Sequence, residues 1–147
     1  MKRLIKFLSL PRSDKRLVLE ICGYLINRNI AIRTRRLPAL LQRANDQKIG
    51  APEEKRQHVT PRTICRYLEE AGRIIPRSTC LSMALVGQVI FFRYGYVTQL
   101  HIGVRKNSPP TVKAHAWLSL NGEIILGNTP EIVKYSEFPL MGRGIIS

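Results

Sequence analysis

The sequence predicts an α+β fold: helices through the first half, then one buried helix followed by an antiparallel sheet. Three observations carry this. The run from Cys80 to Phe92 is apolar on most sides, as a central buried helix is. Tyr96 to Val104 alternates with the period of a half-buried strand, and Val112 to Leu120 reads as a second strand. Asn121-Gly122 then leads into Glu123 to Leu126, and this pair is the strongest short signal for a two-residue hairpin, because both positions need positive φ.

In chain order, residues 1–73 read as a basic helical region and 74–147 as the core, the two making one compact unit. Leu17, Leu19, Ile21, Leu25 and Ile26, after the cap Ser13 or Asp14, predict a first helix to about Arg28. A second is predicted over 33–45, with Leu37, Leu40 and Leu41 on one face; Pro38 either weakens it or marks its start. The polar stretch 46–58, with Gly50 and Pro52, reads as a loop. Thr60-Pro61 is a cap-then-proline start for a helix through Ile64, Tyr67 and Leu68 that ends at Gly72. Ser78 or Thr79 caps the helix that opens at Cys80, and Gly95 stops it. Asn107-Ser108-Pro109-Pro110 is the loop between the first two strands.

Apolar residues make up 44% of the 147, enough for a core and too many for wholesale disorder. No stretch approaches the roughly 18 to 20 apolar residues that cross a bilayer. Lys2, Arg3 and Lys6 interrupt the first ten residues, so no secretory signal is expected. The three cysteines, Cys22, Cys65 and Cys80, have no paired spacing and read as free thiols of a cytoplasmic protein.

The net charge of +14 is uneven: residues 1–77 hold 18 Lys/Arg against 7 Asp/Glu, residues 78–147 only 6 against 3. Such a half suits a polyanion, an acidic protein face or an anionic membrane surface, or is simply a set of solvated helix faces. No zinc spacing, aromatic-rich strand signature or Gly-rich clamp accompanies it, so nucleic acid is not expected. Neither metal-ligand spacing nor a nucleotide loop is present, and no cofactor is expected.

Cys80 is the candidate nucleophile. A thiol in the first turn of a helix feels the positive end of the helix dipole, and the unpaired N–H groups there can also hold an oxyanion. Cys22 and Cys65 read as core thiols. His115, in Ala114-His115-Ala116-Trp117, is the candidate base. If the turn is Asn121-Gly122, residues pair so that their numbers add to 243: 120 faces 123, 118 faces 125 and 115 faces 128. Asn128 would then orient His115 as the third group of a Cys-His-Asn set, or only close its strand; Asn121 is the rival, though its turn accounts for it. Ser78, His101 and Trp117 are the candidate substrate-side residues, with Trp117 either a cleft wall or core. His58 falls in a polar loop.

The motifs Arg77-Ser78-Thr79-Cys80-Leu81-Ser82-Met83-Ala84-Leu85, Leu100-His101-Ile102-Gly103-Val104-Arg105-Lys106 and Ala114-His115-Ala116-Trp117, with the Asn121-Gly122 hairpin, Tyr135 and Leu140, together resemble the transglutaminase-like leader peptidases of lasso-peptide biosynthesis. The resemblance covers roughly residues 74–140. It implies a transglutaminase/papain-like core, in which a helix bearing the cysteine packs on an antiparallel sheet. The activity it implies is removal of a leader peptide from a ribosomally made precursor, before a separate cyclase closes the lasso ring. A separate leader-recognition protein is the other implied partner. The family's Cys and His map onto Cys80 and His115, but Asn128 or Asn121 stands where its Asp is expected. Two alternatives stay open: acyl transfer by the same machinery, or a non-catalytic basic module that binds peptide or nucleic acid.

Overall fold

Pro11 precedes the first helix, and its carbonyl accepts the Lys15 N–H, which fits a proline at a helix start. In the computed structural model, which describes residues 10–33, 59–106 and 111–137, this helix, α1, spans Arg12–Arg33. Leu17, Ile21 and Leu25, spaced by four, are its buried stripe. It runs five residues past the expected end because nothing between Arg28 and Arg33 breaks a helix. The helix expected over 33–45, the loop 46–58 with His58, and the loop 107–110 lie outside the described residues, apart from Arg33 itself.

Helix α2 (Pro61–Ile74) starts as its sequence suggests. The Thr60 side chain accepts the Thr63 N–H, and Pro61 takes the first turn, where its missing N–H costs nothing. It buries Ile64, Tyr67, Leu68 and Ala71, and the Tyr67 hydroxyl donates to Asp14 of α1 at 2.6 Å. The expected stop at Gly72 is corrected, because the helix continues through it. A Cβ there would lie 2.6 Å from Met83 Sδ, so this glycine serves close approach to the next helix. A turn at Ile75–Ser78, with Arg77 at φ 64, leads into α3 (Cys80–Arg93), which is buried at every position from Ala84 to Phe91.

The four strands are β1 (Gln99–Lys106), β2 (Val112–Leu120), β3 (Glu123–Leu126) and β4 (Ser136–Glu137), in the antiparallel order β3-β2-β1-β4. β1 begins later than Tyr96 because Tyr96 is still turn: its N–H reaches Phe91 O and its hydroxyl reaches Val59 O. The hairpin forms at Asn121 (φ 52) and Gly122 (φ 86), as expected. Its register differs from the expectation. Leu120 faces Glu123 and Ser119 faces Ile124, but a bulge between Leu118 and Ser119 then sets Leu118 opposite Leu126. Residues 118 and 125 therefore do not pair. The ladder ends at Leu126 before 115 and 128 could meet, and Gly127 turns the chain away at φ 79.

Helices and sheet share one core, in which Leu17, Ile21, Ile64, Leu68, Leu85 and Ile90 meet Leu100, Ala116, Leu118 and Leu126. Gly87 lets α3 lie close to the sheet, since a Cβ there would meet Leu118 Cδ1 at 2.8 Å. This α+β arrangement positions the residues considered next. No described helix is long and apolar enough to cross a membrane.

Candidate active site

Cys80 is the first residue of α3, and its setting is built by the residues around it. The Thr79 side chain accepts the Ser82 N–H at 3.1 Å, and Ser82 Oγ accepts the Thr79 N–H at 2.8 Å, a reciprocal capping box. Helix geometry leaves the N–H groups of Cys80 and Leu81 without intrahelical acceptors. The half-buried thiol thus sits beside backbone N–H groups that can hold an oxyanion.

The other two cysteines differ. Burial pushes the Cys22 thiol up. Burial first, then the nearby Glu69 carboxylate, pushes Cys65 up to about 11, and its thiol donates to Ile125 O at 3.0 Å. Both are held as thiols at neutral pH.

His115 Nε2 lies 2.6 Å from the carbonyl oxygen of Gly127. A carbonyl can only accept, so Nε2 carries the hydrogen and the lone pair of the neutral ring is on Nδ1. Two aromatic rings lie beside the imidazole. Trp117 stacks on it at 6.0 Å and 21°, and Tyr135 lies 5.5 Å away at 42°.

Asn128 is exposed, and among the described residues no hydrogen bond joins it to His115. The orienting group in this structure is the backbone one residue earlier. Asn121 occupies the hairpin turn, also exposed. His101 uses both nitrogens internally: Nδ1 is 3.0 Å from Glu137 Oε1 and Nε2 is 2.8 Å from Ser119 Oγ. It has no nitrogen left to offer a ligand. Trp117, 4% exposed, has the His101 ring stacked 5.5 Å from its own and His115 beyond it, so it packs rather than walls an open cleft. The Ser78 hydroxyl donates to Ile75 O at 3.0 Å and braces the turn before Cys80.

Cys80 and His115 come from elements that pack together, but no hydrogen bond joins them in this structure, among the described residues. Leu118 points at Gly87 of α3, and side chains alternate along β2. His115 and Trp117 therefore project from the other side of the sheet. The crossover from β3 to β4 brings Tyr135 to that same side. Tyr135 touches His115, and its Cβ would lie 2.9 Å from a Cβ added at Gly103.

Sequence reading missed Gly127 O because a main-chain acceptor has no residue type. The Leu126-Gly127 break in the strand pattern is the signal that could have pointed to it. Among the described residues no group of three or more His, Cys, Asp or Glu side chains could hold a metal ion.

A family model described as the transglutaminase-like superfamily matches residues 24–138. The match runs from within α1 to just beyond β4 and includes Cys80 and His115. No curated protein and no solved structure matches the chain.

Proposed function

The chain belongs to the transglutaminase-like superfamily, and on that premise we propose that it is a cysteine peptidase that removes the leader from a ribosomally made lasso-peptide precursor. The observation that carries the chemistry is the Gly127 carbonyl on His115 Nε2, which leaves Nδ1 as the ring's basic atom.

Cys80 Sγ attacks the scissile carbonyl carbon while His115 Nδ1 takes the thiol proton. The N–H groups at the start of α3 hold the oxyanion. Collapse of the tetrahedral intermediate breaks the C–N bond, and His115 returns the proton to the departing amine. Water then attacks the thioester with His115 as base, releasing the carboxylic acid and the free thiol. The proposed chemistry requires the thiol and the ring, which share no hydrogen bond in this structure, to come within reach of each other already in the substrate-free chain. We assign the orienting role to Gly127 O in place of Asn128. A neutral carbonyl fixes the tautomer as an Asp would, without its charge.

The leader-peptide substrate, a separate recognition protein and a cyclase acting on the product are what the motif resemblance implies. A cytoplasmic location is proposed from the unpaired spacing of the three cysteines. The same thioester could pass to an amine, which is the transferase reading that the superfamily also allows. The test is incubation of the protein, a precursor peptide and a primary amine, with the products weighed. A free leader acid supports the peptidase, and an amide of the leader replaces it with transfer. Cleavage that survives in Cys80→Ala overturns both.

A further inference from the structure

His115 faces a difficulty that the proposed chemistry makes acute. Its ring must become an imidazolium, yet the group on Nε2 is a neutral carbonyl rather than a carboxylate. The rings of Trp117 and Tyr135 lie near it, at 6.0 Å and 5.5 Å. Aromatic faces are negative, so cation–π attraction favours the charged ring, while packing limits its rotation.

Tyr135 belongs to no long element, and its place is secured from β1. Upstream, the Arg105 guanidinium pairs with Glu131. That contact, first by hydrogen bond and then by charge, holds the Glu131 carboxyl below its usual range. Downstream, His101 Nδ1 meets Glu137 Oε1 at 3.0 Å, and the backbone pairs Gly103 with Glu137 and Val104 with Ser136. Arg105 also lies over the Tyr135 ring, 5.6 Å from its centre. Gly103, directly across from His115 in the sheet, leaves the space: a Cβ there would lie 2.9 Å from both Tyr135 Cβ and the Trp117 ring.

We propose that Tyr135 is the positioning residue for His115, held across the ring by the Arg105–Glu131 and His101–Glu137 pairs, and that its π face supplies part of the stabilisation a carboxylate would otherwise give. This rests on His115 being the base of Cys80. It gives His101 a role away from substrate, as an anchor of the strap that carries Tyr135.

The experiment has two readouts on the full chain. The first is the Nε2–H proton signal of His115 in NMR, assigned by its loss in His115→Ala. The second is the rate at which iodoacetamide alkylates Cys80 at neutral pH, followed by mass spectrometry. In Tyr135→Ala the N–H signal should vanish by exchange and the alkylation rate should fall about five-fold, the size of one lost aromatic pair. Tyr135→Phe keeps the ring and should restore both. Should Tyr135→Ala melt far below the parent, the double variant Glu131→Gln with Glu137→Gln should weaken both readouts in the same direction. A folded Tyr135→Ala, or that double variant in its stead, that keeps the signal and the rate overturns the proposal. If His115→Ala slows Cys80 but Tyr135→Ala does not, only this proposal falls. If His115→Ala leaves Cys80 as reactive as before, the peptidase reading falls with it.

Discussion

The two faces of the sheet are built by different physics. The face under α3 is aliphatic, with Leu100, Ala116, Leu118 and Leu126 packed against helix residues. The opposite face carries rings and charges: His101, Trp117 and His115 in a stack, with Ser119, Glu137 and Gly127 O bonded to the imidazoles. Aliphatic packing is set by shape and area and tolerates changes of volume poorly. The ring face depends on direction, and its loss should show in chemistry before it shows in melting.

The sharpest way to break this contrast is Leu118→Ala. Deleting a fully buried leucine from the aliphatic face should cost about 3 kcal/mol of stability, read in a denaturant titration. Gly103→Val attacks the other face. The added side chain meets Trp117 and Tyr135, so it should cost about 1 to 2 kcal/mol through overpacking yet suppress Cys80 reactivity more than Leu118→Ala does. If Leu118→Ala instead hurts reactivity more at matched folded fraction, the faces do not divide stability from chemistry. Thr79→Ala removes the cap in front of Cys80 and should cost about 1 kcal/mol, with slower alkylation of that thiol.

The effect of Cys65 is confined to alkaline pH. Its thiol is raised from 9.0 to about 11 in the folded chain, chiefly by burial. Folding therefore favours the neutral thiol. The contribution to stability is whole below about pH 9, is lost as pH rises toward about 11, and stays lost above it. Cys65→Ala should flatten the alkaline fall in melting temperature between those values, and an unchanged slope would remove this thiol as its source.

The same contrast explains what could be read before the fold was known. Aliphatic elements announce themselves by period, so α3, β2 and the Asn121-Gly122 hairpin with β3 were legible with nearly their observed bounds. Cys80 and its Thr79 cap were legible because capping chemistry is local. The ring face was legible only in part. His115 stood out by residue type. The bulge at Leu118/Ser119 has no residue signature, and it moved the neighbour of His115 from the Asn128 side chain to the Gly127 carbonyl. β4 is two residues long and shows no period. The approach of Tyr135 to His115 follows from a crossover that only the assembled sheet defines.

Cys80 and His115 are proposed to act as one unit although they start from different sides of the sheet. Competitive labelling with iodoacetamide at neutral pH, resolved by mass spectrometry for each cysteine, tests it without knowledge of the substrate. The wild-type chain should label at Cys80 well before Cys22 or Cys65, and His115→Ala should bring Cys80 down to their rate. A Cys80 that labels no faster than the other two, or equally fast with and without His115, would show that the two residues do not act together.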